Sequence, residues 1–163
     1  MKKVLPFVLV IIFVCACALS GCAGRSSGPA DLPDGGETAA PAENKGDVRT
    51  VGNIKTLVPE SWTVIAGGPG GTEDDDSLFL KADESAYEYI WVTVNTQANV
   101  ASSVKYNSSP EIEPFTINGN LWQGKENAAY ATIGDAIFLI MTYGYTAYDD
   151  VVQSVMASLA YEG

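Results

Sequence analysis

The chain has 163 residues, 20 acidic side chains against 9 basic ones and no histidine, for a formal charge of −11 at neutral pH. Without histidine, Ser-His-Asp, Cys-His and His-zinc chemistry are closed to it. The negative field disfavours nucleic acid and anionic lipid headgroups as partners.

Met1-Lys2-Lys3 is a short positive start, and Val4 to Leu19 is an almost unbroken apolar run. Such a run reads as a secretory signal, too short and wrongly flanked for a stable spanning helix. It closes on Leu19-Ser20-Gly21-Cys22. The positive start, the apolar run and the LSGC ending together resemble the bacterial lipobox. That resemblance implies signal peptidase recognition at Leu19, Ser20 and Gly21, with diacylglycerol and palmitate carried by Cys22. It also places the chain on the extracytoplasmic face of the cell membrane. At about 0.8 kcal/mol per buried methylene, the acyl chains hold a protein at the membrane nearly permanently.

Cys15 and Cys17 fall inside the segment expected to be removed, so the mature chain keeps only Cys22 and forms no internal disulfide. The mature chain carries 20 acidic against 7 basic residues, −13. Residues 23–47 are rich in Gly, Pro, Ala and Ser without apolar periodicity, the composition of a flexible linker. A coil of that length spans roughly 25–30 Å. The expected organisation is a signal peptide over 1–21, a lipid-anchored linker over 22–47 and one globular domain over 48–163.

In that domain, Val51 to Val58 reads as a first strand ended by Pro59, which cannot donate to a ladder. Trp62 to Ala66 follows, then a glycine-rich loop over 67–71 and the acidic run Glu73 to Asp76. Leu78 to Ala82 and Tyr87 to Asn95 are the next strands. Asn99 to Tyr106 reads as a short helix with Val100 and Val104 on one face. Phe115 to Ile117 meets Asn118-Gly119, a two-residue hairpin signal because both residues tolerate positive φ. Leu121 and Trp122 begin the return strand. Ala128 to Ile133 turns through Gly134-Asp135 into Ala136 to Tyr143. This last strand is apolar on both faces, which predicts a central strand covered on both sides. A C-terminal amphipathic helix then opens at Thr146 as N-cap, with Val151, Val152, Val155, Met156 and Leu159 in one stripe.

The expected fold is α+β, an antiparallel sheet with helices on both faces. Val58-Pro59-Glu60-Ser61-Trp62, the Ile117-Asn118-Gly119 hairpin and the closing Ser154 to Leu159 resemble the PsbP/Mog1-like α-β-α sandwich. The resemblance implies a non-catalytic accessory or interaction role.

Few residues point to chemistry. The 67–71 loop lacks the Lys-Ser/Thr ending of a phosphate-binding loop and a helix to follow. Glu73-Asp74-Asp75-Asp76 is the best candidate for calcium, although consecutive carboxylates diverge and no calcium-loop pattern is present, so a solvated acidic loop is favoured. Glu88, Glu111 and Glu113 are the candidates for a carboxylate hydrolase. Their spacing is that of a polar strand face, so no catalytic residue, metal or cofactor is assigned.

Tyr87, Tyr89 and Trp91 alternate with Ile90, Val92 and Val94. They form either an aromatic layer under a helix or an exposed strip that binds a partner or ligand. Trp62 and Trp122 read as core anchors. Tyr143, Tyr145 and Tyr148 either seal the core at the strand-to-helix corner or line a groove there. The leading functional expectation is a membrane-anchored module with a protein partner. A small-ligand or glycan-binding lipoprotein comes second and a carboxylate hydrolase last. Cys22→Ala moves the chain from the membrane fraction to the soluble fraction in cell fractionation; unchanged membrane retention would contradict the lipid anchor.

Overall fold

Alternating apolar residues with frequent turns give a mostly β domain. The computed structural model describes residues 45–68, 73–83 and 87–163; the signal, Cys22 and nearly all of the linker lie outside the described residues. In chain order the elements are β1 (Gly46–Val51), β2 (Ile54–Pro59), β3 (Thr63–Ala66), β4 (Ser77–Lys81), β5 (Tyr89–Val94) and α1 (Gln97–Tyr106). They continue with β6 (Phe115–Ile117), β7 (Asn120–Lys125), β8 (Ala128–Ile133), β9 (Ala136–Tyr143), α2 (Asp150–Ser158) and β10 (Ala160–Tyr161). Among the described residues, no helix is long and apolar enough to cross a membrane.

Two antiparallel sheets result: a small one in the order β1-β2-β10 and a seven-stranded one in the order β3-β4-β5-β9-β8-β7-β6. β9, apolar on both faces over Ala136 to Met141, is the middle strand of the seven, as its double-sided pattern predicts. Its even-numbered residues Ala136, Phe138, Ile140 and Thr142 are all buried. Ala136, Phe138 and Ile140 join Leu78, Leu80, Ile90, Val92 and Trp122 in one core. Against that inner face lie Ile54 and Val58 of β2 and Val152, Val155 and Met156 of α2.

The expectation of helices over both faces is overturned. The two helices have ten and nine residues, so each is about 15 Å long at 1.5 Å per residue. Seven strands at about 4.8 Å spacing make a sheet roughly 29 Å wide. The helices are too short to cover it, and the small sheet supplies much of the inner cover. On the outer face α1 packs on β8. Val100, Ala128 and Leu139 are buried there, outside the main core. The fold is two antiparallel sheets with two short helices, and the helix-covered α-β-α sandwich is withdrawn.

Local corrections have local causes. The first predicted strand is the second arm of a hairpin, because Gly52 takes φ 58° and turns the chain between β1 and β2. The C-terminal helix is capped at Asp149, not at Thr146. The Asp149 carboxylate turns back to accept from the Thr146 N–H (2.6 Å) and hydroxyl (3.0 Å), holding the turn that leads in. The Asn118-Gly119 turn forms as expected, with φ of 48° and 78°.

The acidic run has a structural use. The Asp76 carboxylate accepts from Asn53 Nδ2 and from the Tyr161 hydroxyl, both at 2.9 Å. The Asp75 carbonyl accepts from the Asn53 N–H at 2.7 Å. The β1–β2 turn, the start of β4 and the C-terminal strand are therefore latched at one carboxylate. The Tyr161 phenol is raised above the usual tyrosine range, first because its proton is bonded to Asp76. Asp76→Ala lowers stability by about 1 kcal/mol in urea unfolding and speeds hydrogen exchange at Glu162, whose N–H bonds Asn53. Unaltered exchange there would show the latch to be inert.

Candidate interaction surface

Strand alternation puts every second residue of the seven-stranded sheet on its outer face. Registered pairs there are Ile65 with Phe79, Phe79 with Trp91, Tyr89 with Tyr143 and Trp91 with Met141. Beyond α1 an aromatic and apolar strip therefore crosses four strands, flanked on the same face by Thr63 and Lys81 at one end and by Ser77 and Thr93 at the other. The Phe79 and Tyr89 rings lie 4.5 Å apart, and Tyr89 stacks on Tyr143 at 5.8 Å with 16° between planes. Tyr143 is 59% exposed and Ile65 56%. Phe79, Tyr89, Trp91 and Met141 are half-buried. The rings lean on one another along a pleated surface and stay partly in water.

The three aromatics singled out from the sequence have three different fates. Tyr89 is the middle ring of the row. Trp91 is a fastener: its indole N–H donates to the Ser77 hydroxyl at 2.6 Å, and that hydroxyl donates to the Gly67 carbonyl at 3.2 Å. A Cβ on Gly68 would meet the Trp91 ring at 3.5 Å, so the loop leaving β3 rests on the indole. Tyr87 precedes β5, is 86% exposed, and makes no ring contact among the described residues. Phe79 and Tyr143 complete the row. Phe79 follows from pairing β4 with β5, whereas Tyr143 needs the non-local pairing of β5 with β9, for which the sequence carries no signal.

The other candidates separate. Trp122 is fully buried and Trp62 half-buried. Of the corner tyrosines, Tyr145 seals the core against Trp62 at 5.6 Å, and Tyr148 lies on Phe115 at 5.6 Å. The Tyr145 hydroxyl donates to Glu88 at 3.4 Å. Its phenol is raised above the usual range, by burial first and then by the Glu88 charge. Glu111 forms an ion pair with Lys125 at 3.2 Å. Glu88 and Glu111 are thus engaged with different partners. Among the described residues no group of three or more His, Cys, Asp or Glu is placed to hold a metal.

No protein-family model matches the chain, and no curated protein matches it. A protein of Bacteroides thetaiotaomicron VPI-5482, solved at 1.50 Å, is similar at 12% identity and a TM-score of 0.36. The match covers 75% of this chain and 50% of that one, so the chain spans half the length of that protein. A likeness so slight carries no argument about fold or function.

The row divides into rings that hold the sheet and rings that face water. Trp91→Phe loses a bonded indole and lowers stability by about 1 kcal/mol, whereas Tyr143→Ala changes it by under about 0.5 kcal/mol. Thermal or urea unfolding reads both. Equal, large losses would make the row core rather than surface.

Proposed function

We propose that this protein is a lipid-anchored extracytoplasmic module, without catalytic activity of its own, that docks on a protein partner through the outer face of its seven-stranded sheet. One observation carries the reading: a half-exposed aromatic row, Phe79, Tyr89 and Tyr143 with Ile65 and Met141 beside it, on adjacent strands of one sheet. Contiguous apolar surface of this kind marks interaction sites, and tyrosine supplies large contact area at small cost in side-chain freedom. The anchoring half of the proposal rests on Met1 to Cys22 alone. It implies that the partner is met at the membrane surface, within the reach of a linker of about 25 residues.

The absence of histidine closes the commonest hydrolytic routes, and Glu88 and Glu111 are engaged with Tyr145 and Lys125. These observations favour binding over turnover. A photo-crosslinking residue in place of Tyr143 or Ile65, irradiated in intact cells, is expected to give the same discrete protein adduct. The same residue in place of exposed Glu60 gives none. Adducts that are absent from the sheet face, or equal at all three positions, would defeat the proposal.

A further inference from the structure

The same outer face ends, on the far side of α1, in a polar groove of about 450 Å³. Its floor is built by register. Glu111 bridges Lys125 in antiparallel fashion, the register then shifts by one residue to pair Phe115 with Trp122, and Gln123 is paired with Tyr130 of β8. Glu111, Glu113, Gln123 and Lys125 all line the groove. Buried Ile112 holds the segment down between them, its N–H donating to the Gly124 carbonyl at 3.2 Å. Val104 of α1 and Tyr130 complete the lining.

The lining mixes acceptors and donors. Lys125 pairs with Glu111 at 3.2 Å; the lysine side chain is 18% exposed and the glutamate side chain 84%. The side chains of Glu113, Gln123 and Tyr130 make no hydrogen bond within the described residues and are open to a ligand. Two carboxylates and one ammonium leave the groove with a net charge of −1, which disfavours anions. A carboxylate and an amide in one groove, with a phenol and an apolar wall, suit the hydroxyls and C–H faces of a sugar ring.

We infer that this groove is a binding site for a neutral, hydroxyl-rich sugar unit, gripped by Glu113 and Gln123 and positioned by the Lys125–Glu111 pair. The site is separate from the aromatic row, and it stands or falls independently of a protein partner.

The test is an NMR titration of the full globular domain with its linker, using three probes: cellotetraose, maltotetraose and the N-acetylglucosamine tetramer, with glucuronate as the anionic control. At least one neutral tetramer is expected to shift amides within 111–113, 123–125 and 130 in a saturable way. Gln123→Ala and Glu113→Ala, both on exposed side chains, should each weaken that binding about tenfold while leaving the rest of the spectrum unchanged. Saturable binding of glucuronate as strong as that of the tetramers would overturn the chemistry. So would shifts centred on Phe79, Tyr89 and Tyr143 in place of the groove, or no response to any tetramer at millimolar concentration.

Discussion

The domain depends on how unequally the two faces of one sheet are covered. On the inner side of β9, Phe138 and Ile140 are sealed by β2 and α2. Burying such side chains contributes on the order of 2 kcal/mol each, and this face carries the main core. On the outer side Leu139 and Ala128 are buried where α1 lies, with Thr93 and Ser77 buried beside them. A ten-residue helix with one fully buried side chain, Val100, is enough to seal that spot and no more. What α1 leaves uncovered is the aromatic row on one side and the polar groove on the other.

The aromatic row is stable in that half-covered condition because its members are held from below and from the side. Tyr89 is fixed between Phe79 and Tyr143, and Trp91 is tied through Ser77 to Gly67. A preordered surface loses little side-chain entropy on meeting a partner. The latch at Asp76 serves the same end at a distance, since it fixes the start of β4, from which Phe79 projects.

Much of the strand pattern was legible in the sequence, and for local reasons. Asn118-Gly119 and Gly134 demand turns, and the double-sided apolar run of β9 demands a central place. Tyr89 and Trp91 could be placed opposite Ile90 and Val92 by alternation alone. The misjudged features are non-local. Nothing between Gly46 and Val51 advertises an extra strand, since its burial is slight. The pairing of β10 with β2 joins residues about a hundred positions apart. The apolar second face of β9 was taken to require full helical cover, yet burial there is confined to Leu139, with Met141 half-buried and Tyr143 exposed. The polar groove was hidden because Glu111 and Glu113 read as an isolated polar face until the bridge to Lys125 brings their segment alongside β7.

The central claim is that the aromatic row is open on the isolated protein and covered where the protein works. Hydroxyl-radical footprinting, read by mass spectrometry on the purified chain and on intact cells, measures this directly. The account predicts fast modification of Tyr143, Tyr89 and Phe79 on the purified chain, and their protection on cells. Exposed Tyr106, on α1, stays reactive in both. Rings that resist modification in isolation, or that react equally in both settings, would contradict it.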